Sequence, residues 1–316
     1  MSKLVFCGTP QFAVPTLEAL LAAGHDIPLV VTQPDRPVGR SQQLAAPPVK
    51  QIALAAGLSV IQPEKIRNNA EFRAQMEAIA PDAIIVVAYG RIIPPWMLTL
   101  PRLGCINLHG SFLPKYRGAA PIQWAVAMGE TVTGNTTMLL EEGLDTGPIL
   151  MQQSIAIKPE QNSVDLFAVL SQSGAPLVVE TIAGLANGTL QPQPQDHAKA
   201  TLAPLLDRED GRMDFITRTA TELKNRWRGF QPWPGAFTAL DGKKLLVHRM
   251  EVATAVSPAA VPTEPARIVI ENHRVYVTCA HNTLLELIEL QLEGKKRMLS
   301  ADFLRGVTIA PDTRLG

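Results

Sequence analysis

Asn107 and His109 flank Leu108 and stand directly before Gly110. In an extended strand, residues i and i+2 share a face, so the carboxamide and the imidazole would point one way and Leu108 the other. A neutral amide donor beside a titratable ring suits the oxygen of a carbonyl under attack, where one well-aimed donor is worth about 3 kcal/mol. Farther on, Gly143-Leu144-Asp145-Thr146-Gly147 frames a carboxylate between two glycines. A carboxylate brought close to an imidazole favours the protonated ring and fixes its orientation. Taken singly, Asp145 could equally hydrogen-bond its own turn, and His109 could be a satisfied core histidine.

Other chemistries lack their residues. Ser111 follows His109-Gly110 but is not in a Gly-x-Ser-x-Gly elbow. Gly8 ends an apolar run without the three-glycine spacing that seats a pyrophosphate, and Pro10 occupies the turn. There is no P-loop and no His-Glu-x-x-His. Cys7, Cys105 and Cys279 are widely spaced and form no zinc pattern, so they read as buried thiols in a reducing compartment, and no metal is expected.

The elements that must position the pair follow from the pattern of apolar runs. Strand-length runs recur at residues 4–7, 27–31, 58–61, 83–87 and 105–108, with helical segments at 16–23, 49–56 and 70–79 between them. That alternation predicts an α/β domain with a Rossmann-like, doubly wound, mostly parallel sheet. Ligands of such sheets bind beyond the carboxyl ends of the strands, where Asn107 and His109 stand. Two further helices are expected near 163–171 and 176–185. The Pro/Gln-rich stretch 188–195 then reads as an extended linker. Short strands at 245–247, 267–270, 275–278 and 284–287, separated by turn residues, predict a small C-terminal β-barrel, OB-like. The expected division is a catalytic domain at 1–188, a linker at 189–207 and a barrel domain at 208–316.

Composition fits a soluble globular protein: 46% of residues are hydrophobic, 18% charged, and the formal net charge is zero. The opening apolar run is too short for a signal or a membrane span, so a cytoplasmic protein without a membrane partner is expected. Residues 1–207 carry 13 Lys/Arg against 16 Asp/Glu, and residues 208–316 carry 16 against 13. The C-terminal third would therefore meet an anionic partner more easily.

The motifs taken together are more specific than any one of them. Asn107-Leu108-His109-Gly110-Ser111-Phe112-Leu113-Pro114-Lys115-Tyr116-Arg117-Gly118, followed by Gly143-Leu144-Asp145-Thr146-Gly147, resembles the signature of the folate-dependent formyltransferases. The segments 6–13, 32–40, 87–90, 118–124, 230–236 and 293–298 resemble the members of that family whose acceptor is a tRNA.

The resemblance implies Asn107, His109 and Asp145 as a catalytic trio. It implies 10-formyltetrahydrofolate as formyl donor, held by Tyr89, Gly90, Arg91, Ile92, Ser111, Leu113, Pro114, Leu140, Glu141 and Gly143, largely through backbone groups. The implied acceptor is the α-amine of methionine on initiator tRNA, with an amino sugar or another small amine as the alternative. Arg36 and Arg40 would approach the acceptor stem, although Ser41-Gln42-Gln43 stands where the family commonly has lysines. Arg226, Arg228, Lys243, Lys244, Lys295, Lys296 and Arg297 are the candidate phosphate contacts, each also readable as ordinary charged surface. A monomer is expected, with Trp233, between Pro232 and Pro234, read as a structural residue packing the interdomain corner.

Overall fold

The structure is a computed structural model describing residues 1–38, 43–253, 264–310 and 312–316. It divides into two compact units, one of Met1–Pro121, Val132–Ile157 and Asp165–Pro204, the other of Ile122–Thr131, Lys158–Val164 and Leu205–Gly316.

The strands of the first unit are β1 (Lys3–Gly8), β2 (Asp26–Val31), β3 (Arg36–Val38), β4 (Gln43–Ala45), β5 (Val60–Ile61), β6 (Ala83–Val87), β7 (Cys105–His109), β8 (Val132–Leu139) and β9 (Ile149–Ala156). The helices, taken in chain order across both units, begin with α1 (Val14–Ala22), α2 (Pro48–Ala55), α3 (Ala70–Ile79), α4 (Pro95–Leu98), α5 (Pro121–Ala127) and α6 (Ser163–Ala186). Seven strands form one sheet in the order β5-β2-β1-β6-β7-β8-β9, while β3 and β4 make a separate hairpin. The first five are parallel, and β8 and β9 are antiparallel additions at the β7 edge.

A parallel strand is covered on both faces, which is why β1 reads as an unbroken apolar run. Leu4, Val5, Phe6 and Cys7 are all fully buried. Val5, Cys7, Ile84, Val86 and Cys105 share one core cluster with Phe72 and Met76 of α3. Burial pushes the Cys105 thiol up to about 12 and raises Cys7 further, so neither is a nucleophile.

The two helices expected near 163–171 and 176–185 are one 24-residue helix, α6, with Pro176 inside it. By length and composition α6 is apolar enough to cross a membrane. Its fully buried Leu166, Leu170, Val178 and Ile182 instead make it a core helix. Gly174 allows the close approach: a Cβ there would lie 2.7 Å from a Leu108 methyl and 3.1 Å from Asn135 Nδ2. Packing of this kind holds the helix together where Pro176 removes a backbone donor.

The second unit holds α7 (Ala220–Gly229), β10 (Phe237–Leu240), β11 (Lys243–Val252), β12 (Ile268–Glu271), β13 (Arg274–Cys279), β14 (Thr283–Leu292), β15 (Met298–Leu299) and α8 (Ser300–Gly306). Its sheet is antiparallel, in the order β10-β11-β14-β13-β12, with β15 added on β14. Strand alternation places Leu245, Val247, Leu285 and Leu287 inward, and an irregularity at Arg249 opposite Glu289 shifts the phase so that Met250 and Leu290 follow. Leu223 of α7 and Phe303 of α8 close this core.

Candidate functional site

The carboxyl ends of β1, β2, β6 and β7 lie on one edge of the sheet. Thr9, just beyond β1, gives its hydroxyl to the Tyr89 carbonyl at 3.1 Å and accepts from the Gln33 amide at 3.3 Å. Gln33 Nε2 also donates to the Tyr89 carbonyl at 3.2 Å, and its Oε1 accepts from Arg91 Nε at 3.2 Å. The turn after β6 is thus tied to the ends of β1 and β2. The Tyr89 carbonyl is already doubly bonded, which leaves the backbone of Gly90, Arg91 and Ile92 for a ligand.

Asp35 anchors the loop after β2. Lys50 Nζ donates to both of its carboxylate oxygens, at 2.9 and 2.8 Å, and Gln62 Nε2 donates to one at 2.7 Å. These bonds hold the Asp35 carboxyl below the usual carboxylate range, the Lys50 contribution being the largest. A depressed folded-state value means that the stabilisation is complete above the unfolded pKa and is lost as pH falls through the folded one. Asp35→Asn is therefore expected to melt below the parent near neutral pH, with the gap narrowing in acid. Melting curves across that range check this, and a gap that widens in acid would refute it.

His109 is 5% exposed and Asn107 9%. Strand alternation sets both on the face opposite Leu108, whose side chain meets α6 at Gly174. The His109 Nε2 lies 2.9 Å from the Tyr116 carbonyl. A carbonyl only accepts, so Nε2 carries a proton and Nδ1 is the nitrogen left for chemistry. That nitrogen faces Asp145 Oδ2 at 3.7 Å. The same Oδ2 accepts from the Gly118 amide at 2.8 Å.

Because β8 runs antiparallel to β7, Leu139 sits opposite Ile106, and the loop leaving it has to travel back along β7 to bring Asp145 to His109. The Asn107 carboxamide makes no side-chain hydrogen bond among the described residues and remains available beside the pair.

Several supports of the site escaped sequence reasoning. Thr136 on β8 gives its hydroxyl to the Ser111 carbonyl at 2.7 Å and accepts from the Leu113 amide at 3.2 Å. Gln152 on β9 donates to the Leu113 carbonyl at 2.9 Å and to the Thr136 hydroxyl at 3.0 Å. Ser111 Oγ donates to the Lys115 carbonyl at 2.7 Å, and the Leu140 amide donates to the Cys105 carbonyl at 2.8 Å. Ser111, Leu113 and Leu140 therefore spend these groups on the fold and offer a ligand mainly shape, with Pro114 half-buried beside them. Glu141 accepts from Thr146 at 2.5 Å, and Gly143 is exposed. Ile92, Leu144 and Phe112 stand 83%, 63% and 41% exposed on these loops. An apolar rim of this kind, with backbone groups between, suits a flat heterocycle.

The basic candidates separate into two kinds. Arg228 is 7% exposed and spends its guanidinium on the Gln161 carbonyl at 2.7 Å, the Lys158 carbonyl at 2.9 Å and Asn225 Oδ1 at 2.9 Å. Arg226 lies over the Phe230 ring, 4.7 Å from its centroid, and donates to the Asp210 carbonyl at 3.0 Å. Both are fastened to the protein, contrary to their expected place at a phosphate.

Lys243, Lys295 and Lys296 are exposed, and Arg297 forks onto Glu289 with two 2.6 Å bonds. Lys244 stands 4.0 Å over the Phe237 ring. Burial, then the neighbouring charges of Arg208 and Arg212, lower its ammonium pKa. Arg36 is exposed on β3, and Arg40 lies outside the described residues. Trp233, expected as a structural residue at the interdomain corner, is 54% exposed.

A 3-2-1-4-5 parallel order with antiparallel strands added beyond it, and an imidazole–carboxylate pair at the fifth strand, leads to a class of protein. Residues 2–182 match the family described as formyl transferase, and residues 205–308 match the formyl transferase C-terminal domain. The chain belongs to the formyl transferase family. Several relatives carry the name methionyl-tRNA formyltransferase. That of Acidobacterium capsulatum is 67% identical over 314 residues, covering 99% of each chain, and that of Koribacter versatilis is 57% identical over 313 residues, covering 99% of this chain and 98% of the relative. Among solved structures, the sugar 3N-formyl transferase WlaRD superposes with a TM-score of 0.65 at 16% identity, covering 94% of this chain and 99% of that one. At that identity the likeness is one of fold.

Proposed function

We propose that the chain transfers a formyl group from 10-formyltetrahydrofolate to the free α-amine of methionine esterified to initiator tRNA, in the cytoplasm and as a monomer, yielding formylmethionyl-tRNA for translation initiation. The observation that carries this reading is full-length identity of 67% to a relative named for that activity, joined to the 3.7 Å approach of His109 and Asp145 in a buried site.

Asn107 and His109 Nδ1, in its protonated form, stabilise the formyl oxygen as the neutral amine attacks the formyl carbon. Asp145 balances the imidazolium and, directly or through a water, accepts a proton from the amine nitrogen as it becomes an amide; the bond from the formyl carbon to N10 of the folate then breaks, N10 leaves with a proton from His109 Nδ1, and Asp145 returns its proton to the ring. Positioned proton transfer of this kind contributes about 10²- to 10⁴-fold. Gly90, Arg91, Ile92 and the 140–145 loop hold the donor's heterocycle between backbone groups and the apolar rim.

Residues 1–188 form the catalytic part, 189–207 its connection, and 208–316 the part that contacts tRNA through Lys243, Lys244, Lys295, Lys296 and Arg297. Arg36 and Arg40 approach the acceptor stem.

The test is transfer of labelled formyl from the folate to methionyl-initiator tRNA, with a formylatable amino sugar assayed in parallel. Transfer to the tRNA, weakening steeply with added salt as phosphate contacts require, is the expected result. Turnover with the sugar alone would overturn the acceptor assignment, and no turnover with either would overturn the catalytic one.

A further inference from the structure

The stretch expected to be a bare linker is stitched to both loops that carry the reacting groups. Gln193 exchanges two 2.8 Å backbone bonds with Ile149. Two residues on, Gln195 is 6% exposed with both ends of its carboxamide engaged. Its Nε2 donates to the carbonyls of Asp145 at 2.9 Å and Gly147 at 2.7 Å. Its Oε1 accepts from Arg117 Nε at 3.2 Å and Nη2 at 2.6 Å.

The same segment then grips the other loop. Thr201 Oγ1 accepts from the Tyr116 amide at 2.9 Å, and the Thr201 carbonyl accepts from the Arg117 amide at 2.8 Å. Ala203 donates to the Arg117 carbonyl at 2.7 Å and accepts from the Ala120 amide at 3.1 Å. Tyr116 is the residue whose carbonyl orients His109, and Gly118 the one whose amide holds the Asp145 carboxylate.

Asp145 has a backbone φ of 50°, in the left-handed region that favours glycine. The Gln195 donor on its carbonyl ties this turn to the 193–203 segment. Arg117, 6% exposed, has its bonds to Gln195 and to His197 Nδ1 at 3.0 Å but no carboxylate partner among the described residues. A residue needed only to satisfy that buried guanidinium would be better as glutamate. Glutamine alone offers an acceptor to Arg117 and donors to the Asp145 loop together.

We propose that Gln195 is a positioning residue for formyl transfer: it clamps the Asp145 loop to the Tyr116–Gly118 loop and so sets the approach of Asp145 to His109. The proposal rests on the assignment of His109 and Asp145 to catalysis.

Steady-state kinetics and melting curves of full-length Gln195→Ala, Gln195→Glu and Asp145→Asn test it. Gln195→Ala is expected to lower kcat by about 10- to 100-fold, as misplacement of a reacting group by about an ångström does, with KM for folate and tRNA within about twofold of the parent. Gln195→Glu keeps the acceptor for Arg117 but turns an oxygen toward two carbonyls, so its kcat is expected to fall as far. Wild-type kcat in Gln195→Glu would overturn the proposal, since only the partner of Arg117 would then matter. Should Gln195→Ala fail to fold, the glutamate variant carries the same comparison with Arg117 still paired. Full turnover in Asp145→Asn would instead overturn the catalytic assignment beneath it, so the two failures are separable.

Discussion

His109→Ala lowers kcat for formyl transfer by about 10³-fold while leaving folate and tRNA binding near parental values. The size follows from what one buried ring does. Its Nε2 proton is committed to the Tyr116 carbonyl at 2.9 Å, so in the proposed mechanism proton exchange and oxyanion stabilisation both fall to the Nδ1 edge that faces Asp145. Each of these roles is typically worth at least 10²-fold. They share one atom, so their loss is not additive, and 10³ is the expected order. His109→Gln separates chemistry from support, because its amide nitrogen can still donate to Tyr116 while nothing titrates opposite Asp145. Both variants should therefore be nearly inactive, and the glutamine variant should melt closer to the parent. If either retains more than a tenth of parental kcat, the imidazole is not the reacting group.

Sequence pattern revealed the parts of this fold whose burial is made of apolar side chains. β1, β6 and β7 are covered on both faces and so read as apolar runs, and period-two alternation alone sets Asn107 beside His109. β8 and β9 did not announce themselves, because β8 buries Thr133, Asn135, Thr136 and Thr137. Such side chains look like loop until their partners are known: Asn135 Nδ2 donates to the Leu170 carbonyl at 2.8 Å, and Thr137 pairs with the Thr181 hydroxyl at 2.8 Å.

The same blindness hid the Tyr116 carbonyl, since a backbone acceptor has no residue type. It also made Gln195 look like spacer. Charge misled in the opposite direction at Arg228, where a guanidinium counted as surface satisfies three groups inside the fold. What a sequence conceals here is polar pairing across long separations, and that pairing holds both loops of the site.

The second large effect is expected at a residue with no side chain. A Cβ at Gly147 would lie 1.9 Å from the Leu139 carbonyl oxygen and 3.0 Å from its carbon. Both are backbone atoms of the strand end, and the Leu139 amide is itself bonded to the Pro148 carbonyl at 3.0 Å, so neither side of the contact can swing away. The loop must therefore move as a body, taking with it the Gly147 carbonyl that Gln195 holds and Asp145 two residues earlier. Gly147→Ala is expected to cost about 1–3 kcal/mol, the usual range for overpacking, and to lower kcat by roughly 10²-fold through displacement of Asp145. Gly188→Ala is the matched control: its φ of 70° strains the new residue, but nothing lies within 4 Å of the added carbon. It should lose a comparable amount of stability from backbone strain alone and keep parental kcat. Equal turnover in the two alanine variants would mean that the 139–148 loop closes without setting Asp145, whereas a loss confined to Gly147→Ala ties catalysis to the fit of that one position without a Cβ.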